Sequence, residues 1–362
     1  MHVPGSPVID EKSKASGPTV GPFDVDADRE AILALWRRNL PEGTADRYAW
    51  LYDSGRARSW IAREDKSGAI GAVGLMSRRL RLFGEEYPAG GPIDLNVDRT
   101  HRLGGLALRL QRSVTAEVDQ GRLALIYGVP NTQSEPVLRR VGYEIVGPVQ
   151  RWARPLRSHE YLHDRLPGGA LGKTASATVD AALWLRSPES RYRRRREHRV
   201  EITDCFDVRF DRLWRQAAPQ FSVIGQRTAE YLNWRFRDAP GTAYRALCVG
   251  DRNDSLLGYL VYTCRDGVAY VADFLHADDS VGDAVLAEFI NLMRVQKAKA
   301  IVTIFTGAPA AVKRLRRFGF RRRSSSWKIM VHTDALRLGI PRYKLLDVGK
   351  WFFTRADIDT EF

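Results

Sequence analysis

The feature that most constrains this chain is that its pattern runs twice. An aromatic helix signature, Tyr48-Ala-Trp50-Leu-Tyr52-Asp53, returns as Tyr231-Leu-Asn-Trp234-Arg-Phe236, with Trp50 matching Trp234 and Tyr52 matching Phe236. Each copy continues with two short apolar strands separated by a turn, residues 59–62 and 69–75 in the first, 244–249 and 256–262 in the second. A strand holding an acid follows, Asp94 within 92–97 and Asp273 within 271–276. Then come a long amphipathic helix (107–118 and 281–295) and a β-rich apolar run (123–129 and 300–305). Both copies end on a helix closing in glycine-aromatic, Gly142-Tyr143 and Gly319-Phe320. The acid and that glycine are 48 residues apart in one copy and 46 in the other. Order and spacing matched over all these elements predict two copies of one α/β unit, and 362 residues suffice for two domains with cores of their own.

The expected organisation follows. Residues 1–22, rich in Gly, Pro, Ser and Lys, form a disordered lead-in; 23–157 are the first unit; 158–199 are a linker with a helix at 174–185 and an arginine run at 191–196. The second unit is 200–332, and the tail 333–362 carries Trp351, Phe352 and Phe353, aromatics that predict packing on a domain. No apolar run reaches the roughly 18 residues needed to span a bilayer, and the start lacks a secretory apolar region. Cys205, Cys248 and Cys264 are far apart and odd in number, which fits neither a disulfide framework nor a zinc site. A reducing cytoplasm and no metal are expected. The net charge of +14 comes with runs at 191–196 and 313–323. Such a surplus suits a phosphorylated ligand, an anionic surface or plain solvated arginines. No aromatic platform or recognition motif accompanies it, so a nucleic-acid partner is not expected.

The sharpest local signal is Val97-Asp-Arg-Thr-His-Arg102-Leu-Gly-Gly105-Leu-Ala107. A strand ends, a short turn delivers Arg102, and a helix opens at two glycines. Free N–H groups and the positive end of the helix dipole suit such an opening to a diphosphate, and glycine leaves room for its approach. The spacing of Arg102, Gly105 and Ala107 resembles the Q/R-x-x-G-x-G/A signature of the GNAT superfamily of acyl-CoA-dependent N-acyltransferases. Downstream, Tyr127-Gly-Val-Pro-Asn131 resembles the Y-G-F-P-N strand end of one branch of it. The resemblance covers residues 23–157, and reaches 201–332 only through the repeat.

What it implies is an α/β fold of two tandem GNAT-like domains, each a mostly antiparallel mixed sheet flanked by helices. Acetyl-CoA, or another acyl-CoA, would lie between the strand of Asp94 and the strand of Tyr127. Leu95 and Val97 would pair with its pantetheine, and Arg102, Leu103, Gly104, Gly105, Leu106 and Ala107 would hold the diphosphate, with Asn131 nearby. The acceptor would be a primary amine of a small molecule, such as an amino sugar or polysaccharide precursor; the Y-G-F-P-N branch also resembles enzymes that acetylate aminoglycosides, polycations that suit a chain of net charge +14 less well. Asp94 is the candidate base. The family's tyrosine acid falls at Leu138, so Tyr127 and Tyr143 are the neighbouring candidates for that role. In the second copy Asp278, Asp279 and Asp283 stand where the glycine loop would be, so no coenzyme site is expected there; that half, with Asn233, Trp234, Arg235, Trp351, Asp357 and Asp359, would wall the acceptor cleft. Two other readings stay open: a Fem-like aminoacyl transferase using tRNA, and a non-catalytic binding protein. The intact loop from Arg102 to Ala107 speaks against both.

Overall fold

The structure, a computed structural model, describes residues 17–40, 42–64, 67–157, 187–192 and 198–359. The linker helix expected at 174–185, most of the arginine run and residues 1–16 lie outside them. The first half comprises β1 (Thr19–Pro22), α1 (Arg29–Asn39), α2 (Ala45–Tyr48), β2 (Ala57–Glu64), β3 (Ser67–Leu82), β4 (Glu85–Val97), α3 (Leu106–Asp119), β5 (Leu125–Gly128), α4 (Glu135–Arg140), β6 (Glu144–Pro148) and β7 (Arg151–Pro155). The second comprises α5 (Pro188–Tyr192), β8 (Arg199–Thr203), α6 (Val208–Ala217), β9 (Val223–Gly225), α7 (Ala229–Leu232), β10 (Arg245–Gly250), β11 (Leu256–Arg265), β12 (Val268–His276), α8 (Asp279–Val295), β13 (Ala300–Gly307), α9 (Pro309–Arg317), β14 (Arg321–Arg323), β15 (Lys328–Thr333), α10 (Arg342–Leu345) and β16 (Trp351–Thr354). The lead-in expected to be disordered as far as residue 22 instead contains β1, which pairs antiparallel with β2 from Thr19↔Arg63 to Pro22↔Trp60.

The repeat is visible in fine detail. Thr44 caps α2 and Thr228 caps α7, each hydroxyl accepting the amide three residues on. Both helices then widen into a π-turn, Ala49–Asp53 and Asn233–Arg237. The matched tryptophans meet: Trp50 and Trp234 stack with centroids 4.8 Å apart and planes 12° from parallel. Trp50 Nε1 donates to the Trp234 carbonyl at 2.8 Å, and Trp234 Nε1 returns the bond to Trp50 at 3.0 Å. Each indole N–H thus finds an acceptor within an apolar interface, which burial of a tryptophan requires. Both closing glycines sit in the left-handed region, φ 92° at Gly142 and 79° at Gly319, where glycine ends a helix at least cost.

All sixteen described strands link into one sheet. The halves trade strands. β15 inserts between β5 and β6 of the first half, and β7 inserts between β13 and β14 of the second. A cut at residue 157 therefore leaves neither half with a complete sheet. The two faces of the first-half sheet divide the work: Val73, Leu75 and Val97 pack under Leu106, Leu110 and Val114 of α3, while Met76 and Tyr52 join the larger core shared with the second half. Among the described residues, no helix is long and apolar enough to cross a membrane, and no cluster of His, Cys, Asp and Glu could hold a metal ion.

Candidate active site

Strands β4 and β5 pair in parallel only at Ala89↔Leu125 and Gly90↔Ile126, then separate. Beyond Gly91 the open edge of β4 runs on through Asp94, Leu95 and Val97. Asp94 has φ 52°, and the β3–β4 register slips between Ala72 and Gly74, so a bulge at Asp94 bends the strand away from its neighbour. At the wide end a 3-10 turn, Arg99–Gly104, leads into α3, whose N-cap is Gly105 at φ 71° with no side-chain cap. A Cβ at Gly104 or Gly105 would meet nothing within 4 Å, and Leu103 beside them is fully exposed. The turn is pinned from behind: Arg102 Nε donates to the Val97 carbonyl at 3.1 Å, and Asp98 accepts from Arg38 (2.9 Å) and Asn39 (2.7 Å). The result is a groove edge ending at a bare helix start, a seat whose donors and dipole favour a diphosphate.

The Asp94 side chain is 5% exposed and accepts from Arg47 Nη2 at 2.8 Å; the same guanidinium nitrogen reaches Asp359 at 3.0 Å. The Tyr52 hydroxyl stands 3.5 Å from the other Asp94 oxygen, an approach possible because Gly74 has no Cβ to block it. Burial pushes the Asp94 carboxyl above its ordinary range, Arg47 pulls it down, and the like charge of Asp359 pushes it up again. Burial opposes the charge on Arg47, but its two carboxylates hold it firmly protonated. Two carboxylates on one guanidinium leave a net negative charge at the apex side of the groove.

The other sequence candidates lie elsewhere in this frame. Tyr127 is buried, its ring against Trp351 and Phe353 and its hydroxyl 3.5 Å from Asp357. Tyr143 is buried against His332, and burial raises its phenol. Neither is brought to Asp94. Val97 and Leu106 are buried where α3 packs on the sheet, Leu95 and Ala107 are half-buried, and Arg102 is exposed at the turn. The Asn131 carboxamide accepts from the amides of Gln133 and Ser134, bracing the turn into α4. Of the residues expected to wall the acceptor cleft, Asn233 is tied to the Phe206 backbone, Trp234 belongs to the tryptophan stack, Arg235 holds the Ile358 carbonyl at 3.0 Å, and the Trp351 indole bonds Leu345. Asp359 alone reaches Asp94's neighbourhood. Sequence reasoning passed over Arg47 and Arg78, although Met76, Arg78, Leu80 and Leu82 alternate onto one buried face, where a charge is the exception to explain.

The matching V of the second half is closed. β12 and β13 pair from Val268↔Ala300 to Val271↔Thr303, and then β16 joins β13 at Phe305↔Thr354. Phe352 packs on Phe274 and Phe305. Fully buried Arg227 binds Asp273 at 3.0 Å and Asp357 at 2.6 Å, while Thr354 bonds Asp273 at 2.6 Å. Asp357 itself completes a capping box with Thr354. At the opening of α8, Asp278 accepts from the amides of Ser280 and Val281, so a carboxylate of the chain takes the anion's place. Asp279 and Asp283 are engaged by Arg314.

The first half is thus a mixed sheet with a parallel pair that splays toward a glycine-opened helix. Residues 25–146 match the family described as an acetyltransferase (GNAT) domain. A comparison with curated proteins found no match. Among solved structures, the chain is similar to a conserved protein from Enterococcus faecalis V583 described as a probable N-acyltransferase (TM-score 0.63, 14% identity, 88% of this chain and 72% of that one). It is also similar to a GCN5-related N-acetyltransferase from Anabaena variabilis (0.62, 15%, 87% and 72%) and to one from Kribbella flavida (0.60, 16%, 88% and 71%). These likenesses extend across both halves and establish the fold.

Proposed function

We propose that the protein transfers an acetyl group from acetyl-CoA to the primary amine of a small acceptor, with the first half supplying the donor site. One observation carries this reading: β4 leaves β5 after Gly90 and its open edge leads straight to an uncapped helix start lined by Gly104 and Gly105. The pantetheine would pair with the β4 edge near Leu95 and Val97, and the diphosphate would sit on the amides opening α3. The amine attacks the thioester carbon; a C–N bond forms, the C–S bond breaks, and the thiolate departs with the coenzyme. The ammonium must shed a proton, and Asp94, raised by burial and set beside the apex, is the base we assign. Placing the two reactants in one cleft supplies much of the rate, as direct transfer needs little else. Asp278 and β16 support a division of labour in which the second half binds no coenzyme and shapes the acceptor side.

The test is calorimetric titration of the full chain with acetyl-CoA, followed by thiol release across a panel of amines. Saturable binding with amine-dependent release is expected. A folded protein that takes up no acetyl-CoA would end the proposal.

A further inference from the structure

Arg78 stands out among the buried cations. It is 6% exposed on β3, and its Nη1 donates to the Ala356 carbonyl at 3.3 Å. Its guanidinium lies over the rings of Tyr231 and Trp234, at 5.3 and 6.0 Å from their centroids. Its Nε and Nη2 are buried and have no hydrogen-bond partner among the described residues. Arg47 and Arg227, buried in the same region, each hold two carboxylates. Buried donors are almost always paired, and a guanidinium least tolerates the lack.

The two unpaired atoms are also a particular pair. Nε and Nη2 form the side-on edge of the guanidinium, whose parallel N–H bonds match the two oxygens of a carboxylate. That edge has a telling location. Arg78 Nε is 3.9 Å from where a Gly91 Cβ would be, and the Tyr127 carbonyl is 3.7 Å from the same point. Gly91 and Tyr127 are the first residues past the last β4–β5 pair. The free fork therefore sits at the apex of the cleft, where the reacting ends of donor and acceptor must meet. Asp357 and Asp359, the latter sharing Arg47 with Asp94, are near enough to act electrostatically on Arg78, yet neither is hydrogen-bonded to it, so the region holds carboxylates and a cation whose side-on edge binds none.

We propose that the side-on edge of Arg78 receives a carboxylate that one of the two substrates brings to the apex of the cleft. Two sources share that chemistry: an amino-acid-like acceptor whose ammonium faces Asp94 and Asp359, or a dicarboxylic acyl chain on the coenzyme. Either deepens the transferase reading above and rests on it.

The experiment titrates the full chain in two arms. One compares succinyl-CoA with acetyl-CoA; the other compares the common α-amino acids with their amides in the presence of coenzyme A. The wild type is expected to favour the carboxylate form in one arm by about a hundredfold, within the range by which loss of one partner of a buried charged pair weakens binding. Arg78→Met should abolish the preference and Arg78→Lys, which keeps the charge without the fork, should restore only part of it. Acetyl-CoA affinity should be retained in both variants. Melting temperature separates this from a structural role: removing a guanidinium that binds no carboxylate should leave Arg78→Met at least as stable as the wild type. Equal binding of both forms in both arms, with acetyl-CoA still bound, would overturn the carboxylate assignment and leave the transferase reading intact. A preference that survives Arg78→Met would overturn it too. Failure of the wild type to bind acetyl-CoA would remove both.

Discussion

Replacing Gly105 with glutamate tests the donor site at its most exposed point. Space is not the obstacle, since no heavy atom lies within 4 Å of the added Cβ. Backbone strain is: at φ 71° an L-residue costs about 1 kcal/mol relative to glycine. A carboxylate at a helix start recovers roughly 0.3–1 kcal/mol of that through the dipole, so the variant is expected to fold with little change in melting temperature. Affinity for the coenzyme should behave otherwise. A carboxylate about 5 Å from a phosphate charge is repelled by roughly 1 kcal/mol if the site is fully solvated and by about 3 kcal/mol at the effective dielectric of a protein surface. Acetyl-CoA should therefore bind roughly fourfold to a few hundredfold more weakly, and raised salt should narrow the gap. Gly105→Ala carries the strain without the charge and should lose less than about threefold in affinity. Calorimetry at two salt concentrations, with circular dichroism melts alongside, reads all of this. If the glutamate and alanine variants are folded and bind acetyl-CoA alike, the helix opening does not hold the diphosphate and the reasoning is refuted.

Asp94→Asn should lower thiol release by at least about a hundredfold while acetyl-CoA titrates as before. Because burial raises the Asp94 carboxyl, wild-type activity should fall on acidification at a higher pH than an ordinary aspartate would give, and a pH profile of Asp94→Asn should lack that limb. Trp50→Ala and Trp234→Ala should each cost about 3–5 kcal/mol in urea unfolding, and the double variant less than their sum, because both lose one shared stack. Buried His276, which takes a bond from Arg314 Nη1 at 2.8 Å, has its imidazole pushed down to about 4 from 6.5. The unfolded chain takes up this proton first, so the stabilisation is complete above pH 6.5 and drains away toward pH 4, by up to about 3 kcal/mol. Melts of His276→Gln over that interval should show a shallower decline.

The repeat carried most of the fold. The paired positions Trp50/Trp234 and Asp94/Asp273 were readable because each copy acts as a control on the other; the structure stacks the tryptophans on each other and sets each aspartate beside a slip in its strand register. The glycine turn before α3 was readable because backbone chemistry there depends on a short, local stretch. What escaped depends on distance along the chain. β7 and β15 are ordinary short strands whose exchange leaves no local mark, and β16 closes the second cleft only because the tail returns to β13. Asp94 was singled out in the sequence but its contacts were not: Arg47 meets it from 47 residues away, and Asp359 reaches the same guanidinium from the far end of the chain. Asp94 and Asp273 also show the limit of analogy between copies, for one lies beside an open edge and the other is locked under Thr354 and Arg227.

The traded strands have a consequence for how the molecule comes into being. As the chain leaves the ribosome, β5 emerges about two hundred residues before β15, its partner at Val331↔Tyr127. For that interval β5 offers unpaired N–H and C=O groups, and β7 waits likewise for β13. The usual order, in which an N-terminal domain finishes before the next begins, is closed to this topology. Both halves must ripen together and late, and a chain stalled near residue 300 would be a sticky one.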